Sequence, residues 1–273
     1  MRYIVLTLLI IALNVSGFSA FEQNEAGARP YALGGAYVAI ADNAWAIFYN
    51  PAGFARLSHN EISVFYLPQQ FGLKELSTTA IAGNYYSNAG TFGFGVRRFG
   101  FNLYNEITAS LSYASMFLGV CAGVNLNYYS LTISNYGSDA AIGMDVGIIF
   151  PLVRGLDFGI CAKNLNMPTI GKGREKLPQI FSTGVSYSPV ENLVVAADYR
   201  KEIAFEGSQR FGVEYKVFEF ASLRVGAANN PPTYTAGIGV EYEFIQIDYS
   251  FFKHQELGIS HTFSVSFIWG GVK

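Results

Sequence analysis

The chain is poor in cysteine, histidine and charge. Cys121 and Cys161 are its only cysteines, and His59, His254 and His261 its only histidines. Two thiols cannot build a disulfide framework. No histidine stands at metal-ligand spacing from another histidine, a cysteine or a carboxylate cluster. Only 14% of residues are charged and the formal net charge is −2, which gives no basis for nucleic-acid binding. Nucleophile-elbow and dinucleotide motifs are missing, and Gly171-Lys172-Gly173 lacks phosphate-loop spacing. His261 has Ser260 and Thr262 beside it, but neighbours on a strand point to opposite faces. Neither an enzyme nor a cofactor is expected. After Ala20, no apolar run approaches the length of a membrane helix.

Yet 51% of the residues are hydrophobic, so the apolar surface must be placed somewhere. Residues 1–20 read as a secretory signal. Arg2 supplies the charge, Tyr3–Leu13 the apolar stretch, and Gly17, Ser19 and Ala20 the small residues around a cleavage point. A membrane anchor is the alternative, but the run is short for a bilayer. Loss of Arg2 takes the formal charge from −2 to −3. An exported, apolar chain without spanning helices either builds a large all-β core or turns every second residue to lipid. In lipid, only helices and closed barrels satisfy every backbone N–H and C=O.

The connections favour the barrel over a soluble sandwich. Tight joints at 87–90, 115–116, 151–155, 188–192, 219–222 and 243–244 alternate with longer, more polar ones. The longer joints fall at 68–75, 98–103, 130–139, 164–177, 201–208, 228–232 and 253–256. Short turns at one end and longer loops at the other mark an outer-membrane barrel. Strands are expected near 59–67, 76–86, 91–98, 104–114, 117–129, 139–150, 155–163, 178–187, 193–200, 209–218, 222–227, 233–242, 245–252 and 257–269. The fold class is therefore all-β: a transmembrane antiparallel up-and-down barrel of about 14 strands at roughly 10 residues each. Twelve would result if one weak pair merged. The barrel spans 58–273, behind an N-terminal segment at 21–57. Both termini should face the periplasm.

Alternation fixes the faces. Phe263, Val265, Phe267 and Trp269 oppose Thr262, Ser264 and Ser266. The apolar faces meet outer-membrane lipid. Tyr66, Tyr113, Tyr187, Tyr199, Tyr242 and Trp269 fall at the interfacial girdles. The lumen then holds Arg97, Asp145, Asp157, Lys163, Asp198, Arg200, Glu214, Lys216, Arg224, Glu241 and Asp248. These mixed signs read either as a cross-strand ion-pair network or as a selectivity or ligand-contact surface. Lumen glycines, among them Gly93, Gly95, Gly119, Gly123, Gly147, Gly159, Gly212 and Gly237, leave room inside. Cys121 and Cys161 sit on the fifth and seventh strands, about 10 Å apart, beyond disulfide reach.

Residues 27–57 read GARPYALGGAYVAIADNAWAIFYNPAGFARL. Gly34-Gly35 permits close backbone approach. Asp42-Asn43 offers one helix cap, and Asn50-Pro51 offers another with proline at the first helical position. A segment this short and apolar must pack against something, and the lumen is available.

Three motifs carry a family resemblance: Arg29-Pro30 through Gly34-Gly35-Ala36-Tyr37, Ala41-Asp42-Asn43-Ala44, and Asn50-Pro51-Ala52-Gly53. Here the sequence resembles the FadL-type superfamily of outer-membrane proteins, most of all its PorV/PorQ-like branch. The resemblance is specific over this segment and general over the barrel. It implies a fourteen-stranded barrel plugged by its N-terminal segment. Transporters of the superfamily pass hydrophobic molecules, such as long-chain fatty acids, through the barrel and sideways into the membrane. PorV-like members instead serve type IX secretion and hold cargo. The resemblance makes Gly34, Gly35, Ala36, Asp42, Asn50, Pro51, Ala52 and Gly53 plug and hinge elements. It implies as partners a hydrophobic ligand or secretion-system proteins. A monomer is expected. The loops are shorter than those of fatty-acid transporters of this fold.

Overall fold

The structure, a computed structural model, describes residues 20–22 and 25–271. The expected signal, 1–20, lies outside the described residues but for Ala20. The barrel strands are β1 (Asn60–Leu67), β2 (Thr78–Ser87), β3 (Gly90–Gly100), β4 (Tyr104–Phe117), β5 (Val120–Ile133), β6 (Gly137–Val153) and β7 (Leu156–Lys163). A small hairpin, β8 (Thr169–Ile170) and β9 (Glu175–Lys176), stands apart from the ring. The ring continues with β10 (Ile180–Val190), β11 (Leu193–Glu202), β12 (Ser208–Phe218), β13 (Ala221–Asn229), β14 (Pro232–Tyr242), β15 (Ile245–His254) and β16 (Gly258–Trp269).

These strands form a closed antiparallel barrel of fourteen, each paired with its neighbours in sequence. Closure is made by β1 and β16, in register from Asn60–Trp269 to Tyr66–Phe263. Closure leaves no strand edge unpaired, as a lipid-facing sheet requires. The alternation works as expected. Phe263, Phe267 and Trp269 are exposed, while Thr262, Ser264 and Ser266 are buried. The same division separates Leu111, Leu126 and Tyr128 from Ser110, Ser112, Asn125 and Asn127.

Strand existence follows the sequence, and so do most turns, the one at 243–244 among them; some strand ends move. The turn placed at 115–116 falls instead at Leu118-Gly119, because the β4–β5 ladder continues to Phe117–Val120. Leu118 and Gly119 both take positive φ, 50° and 81°, as a tight hairpin demands. Gly119 is therefore a turn residue, not a lumen residue. At the opposite end β5 runs to Ile133 and β6 starts at Gly137, so that loop is shorter than read. Cys121 and Cys161 are buried free thiols.

The position of the N-terminal end corrects another expectation. Phe21 N–H donates to Glu106 near the start of β4, at 2.9 Å, so residues 20–22 lie at the end with the longer loops. Trp269 lies at the other end, opposite Asn60. Residues 20–22 and Trp269 are at opposite ends because the segment from residue 25 onward runs through the barrel interior before entering β1.

That segment contains α1 (Ala28–Ala32) and two 3-10 turns, Ala44–Phe48 and Pro51–Arg56. Helix α1 was not anticipated. Leu33, Tyr37, Trp45, Ile47 and Phe54 are buried, each contributing roughly 1.5–3 kcal/mol. They pack onto inward glycines. A Cβ on Gly123 would stand 2.5–2.6 Å from the Pro51–Ala52 backbone, one on Gly159 2.6 Å from the Val38 carbonyl, and one on Gly212 2.7 Å from that of Leu33. Inward glycine thus traces the path of the segment around the wall.

Candidate functional site

The site begins at α1. Its C-terminus closes with the pair of bonds typical of a left-handed cap. Gly34 N–H donates to Tyr31 O at 3.1 Å and Gly35 N–H to Pro30 O at 3.0 Å. Gly34 and Gly35 have φ of 65° and 76°, and a Cβ on Gly34 would come within 2.8 Å of the Ala227 backbone. Beyond this glycine corner, Asn43 and Asn50 cap the two 3-10 turns, accepting from Trp45 N–H and Ala52 N–H at 3.1 Å each. Pro51 takes the first helical position. Asn50 also donates to Val38 O at 2.8 Å, tying the turn to the preceding strand of chain. Gly53 packs directly on the Ala41 carbonyl. Asp42, expected as part of a cap, instead pairs with Arg29 at 2.6 Å, and Asn43 alone caps.

Two cavities flank the segment. The loop-end cavity, about 290 Å³, is bounded by Tyr31, Phe71, Phe252, Gln70, Arg210 and Glu25 among others. Tyr31 stacks on Phe252 at 5.3 Å, and Phe71 meets Phe252 edge-on at 5.9 Å. The turn-end cavity, about 210 Å³, is polar and bounded by Arg29, Glu214, Lys216, Arg224 and Glu241. Between them lie the Gly35–Val38 backbone and the Tyr37 ring.

Ion pairs hold the segment at both levels. Glu25 meets Arg210 at 2.5 Å and Arg200 at 3.9 Å. Burial alone would raise the Glu25 pKa, but Arg210 and Arg200 outweigh it and hold the carboxyl at about 2. Burial opposes charge on Arg29, and loss of hydration inside the barrel opposes it on Asp42 even though that side chain is partly open to solvent. Their mutual attraction, with Glu214 added for Arg29, prevails: Arg29 is raised well above its ordinary value and Asp42 is lowered. Burial pushes the Tyr31 phenol up to about 12, with the Glu25 charge adding to it. Tyr37 rises for the same reason, burial.

All eleven inward charges read from the sequence lie on the inner side or at its mouth, but few pair across strands. Arg224 links Glu214 and Asp248, the latter at 2.6 Å. Four of the other eight serve the segment. Asp198 accepts Tyr37 N–H and Val38 N–H at 2.7 and 2.8 Å, Asp157 pairs with Arg56 at 3.0 Å, and Lys163 donates to Phe48 O. Arg200 reaches Glu25. Asp145 accepts from Asn127 at 2.8 Å and from Asn164 N–H at 2.9 Å. Arg97 is 1% exposed, with its guanidinium over the Phe99 ring at 5.5 Å. Lys216 and Glu241 are exposed at the turn-end mouth. A wall-to-wall network was therefore too simple a reading. A buried, irregular segment carries backbone groups that need partners, and the wall supplies them.

The sequence reading missed Glu25, Arg29, Arg56, Glu61 and Arg210. Arg210 shares the period-two face of Glu214, so its orientation was legible. Glu61 caps the first 3-10 turn by accepting Ala44 N–H at 3.0 Å, which nothing local announces. Among the described residues, no three His, Cys, Asp or Glu side chains are grouped as metal ligands.

No protein-family model matches the chain, and no curated protein does. Solved structures do. The Pseudomonas putida toluene transporter TodX aligns with a TM-score of 0.66 at 12% identity, over 92% of this chain and 99% of that one. The monoaromatic hydrocarbon channel CymD aligns at 0.65 and 14%, over 93% and 100%. A Pseudomonas aeruginosa FadL homologue aligns at 0.59 and 12%, over 93% and 99%. The chain thus has the fold of FadL-type barrels. At these identities the likeness is one of fold.

Proposed function

We propose that this chain is an outer-membrane barrel that passes hydrophobic small molecules, with residues 21–57 as its plug. The observation that carries the reading is the aromatic cavity at the loop end, which rests directly on the glycine corner of the segment. An apolar compound leaves water for the Tyr31, Phe71 and Phe252 rings. Its contact with the Gly34-Gly35 corner competes with the Glu25–Arg210 and Arg29–Glu214 pairs that seat the segment. Displacement opens the way along β10–β14 to the turn-end cavity. A lateral exit would use the wall above Lys163, where β7 stops while β6 continues to Gly137. There the closure rests on loop contacts such as Asn166 Nδ2 donating to Ile142 O at 2.8 Å. The fold shared with hydrocarbon channels supports the reading, and the apolar outer face supports an outer-membrane location. The chain acts as a monomer and not as an enzyme.

The plug motif favours a second reading, a PorV/PorQ-like role in type IX secretion, with protein partners in place of a small ligand. The short loops offer little area for cargo, so it stands second. The deciding experiment is uptake of labelled apolar probes by cells producing the wild type or a Gly34→Leu/Gly35→Leu variant. Altered uptake with normal barrel assembly is expected. Unchanged uptake of every probe would refute transport, and a stoichiometric protein captured from membranes would favour secretion.

A further inference from the structure

The loop-end cavity is not purely apolar. Two buried polar atoms on it have no protein hydrogen-bond partner, Gln70 Oε1 and Arg210 Nε, and two more, Tyr49 OH and Asp198 Oδ1, line the small pocket just beneath it. Buried polar groups are nearly always partnered, so two orphans on this cavity, with others in the pocket directly beneath, are informative. Gln70 is also placed deliberately. The loop folds back on itself, with Gln70 and Leu73 exchanging backbone N–H···O bonds at 3.2 and 2.9 Å. Phe71 N–H is anchored to Ser260 Oγ at 2.8 Å. This turn inserts one amide and one ring into the cavity together.

Charge around the cavity is balanced. Glu22 and Glu25 face Arg200 and Arg210. Arg210 is already engaged by Glu25 through Nη1, so its guanidinium offers Nε rather than a free charge. The volume is about 290 Å³. A cavity near 150 Å³ suffices for a benzene ring, so one substituted ring fits.

From these features we infer that the loop-end cavity selects a neutral aromatic compound bearing one hydrogen-bonding hydroxyl, a phenol, over the parent hydrocarbon or an aromatic carboxylate. The ring lies against Phe71, Phe252 and Tyr31. The hydroxyl donates to Gln70 Oε1 and accepts from Arg210 Nε or Tyr49 OH, using both of its capacities. A hydrocarbon of the same shape leaves these groups unpaired, and a carboxylate meets Glu25 and Glu22 as well as the arginines. The inference rests on the transport reading but specifies its substrate class.

The test is equilibrium dialysis of the full-length protein in detergent against labelled toluene, 4-methylphenol and 4-methylbenzoate. These differ in one substituent. The expected result is 4-methylphenol binding about tenfold more tightly than either of the others, the scale of one or two buried hydrogen bonds. Gln70→Leu should reduce that preference to near parity. Tyr49→Phe serves as the second variant should Gln70→Leu fail to assemble, and should also narrow the preference. Equal affinity for toluene and 4-methylphenol overturns the inference and leaves hydrophobic transport standing. Tightest binding of 4-methylbenzoate overturns it by showing that the arginines select. A preference unchanged in both variants overturns the assignment of the polar groups. Binding of none of the three removes the cavity reading itself.

Discussion

Arg29 grips Glu214 with a two-pronged bond. Its Nε and Nη2 donate to the two carboxylate oxygens at 2.7 and 2.8 Å. Arg29 lies in the segment, Glu214 on β12, 185 residues away. Four residues earlier on each side, the same strand and segment meet with signs reversed, Arg210 against Glu25 at 2.5 Å. Crossed signs fix the register, because a shift of the segment by one such step would set like charges together.

Glu214→Gln should loosen the turn end. Removing one member of a buried pair leaves the other charge uncompensated and costs about 3–5 kcal/mol. Arg29 keeps Asp42 as a partner, so the cost belongs at the lower end of that range. A lower unfolding temperature and raised conductance in planar bilayers are expected. An unchanged conductance would mean that the pair does not hold the segment.

The Glu25 contribution has a defined pH window. Its folded pKa, about 2, lies below the ordinary 4.5. A lowered pKa means stability that is full above the unfolded value and lost as pH falls through the folded one. The stability gap between wild type and Glu25→Gln should therefore be the same at pH 7 and pH 5.5. It should shrink below about pH 4.5 and vanish near pH 2. Thermal melts across this range check it, and a gap that closes by pH 5.5 contradicts the assignment.

Gly123→Val and Gly159→Val should release the segment without opening the ring. Valine suits a strand, but its Cβ would meet the Pro51–Ala52 or Val38 backbone. Overpacking of this kind costs typically 1–3 kcal/mol. Heat-modifiable mobility on gels should persist. Protease should cut within 26–57, and the buried Cys121 thiol should become open to maleimide in Gly123→Val.

Asp198 separates charge from hydrogen bonding. Its Oδ2 accepts two backbone N–H groups, from Tyr37 and Val38. Asn retains one carbonyl oxygen able to accept both; Leu retains none. Asp198→Asn should keep the segment protected from protease, and Asp198→Leu should expose it, with about 1–3 kcal/mol lost per unpaired group. Equal protection in both would place the anchoring elsewhere.

The barrel was legible because its rule is local. Period two in Phe263, Val265, Phe267 and Trp269 reports a face without knowledge of any partner. Turn positions were less so, since Ser115-Met116 and Leu118-Gly119 both resemble turns and only the ladder decides. The caps at Asn43 and Asn50 were readable for the same local reason. The segment's contacts were not, because Arg29 and Glu25 find partners set by barrel geometry, not by sequence distance. Inward glycines were the one signal that crossed this gap, marking where the wall had been pared back.

The segment touches both strands of the closing seam. Ala28 N–H donates to Ser264 Oγ on β16 at 2.9 Å, and Ala44 N–H to Glu61 on β1 at 3.0 Å. The first and last strands to be synthesised thus share a common occupant made before either. The seam is thus tied from the inside as well as along its own ladder, so loosening the segment would also remove bonds that hold the ring shut.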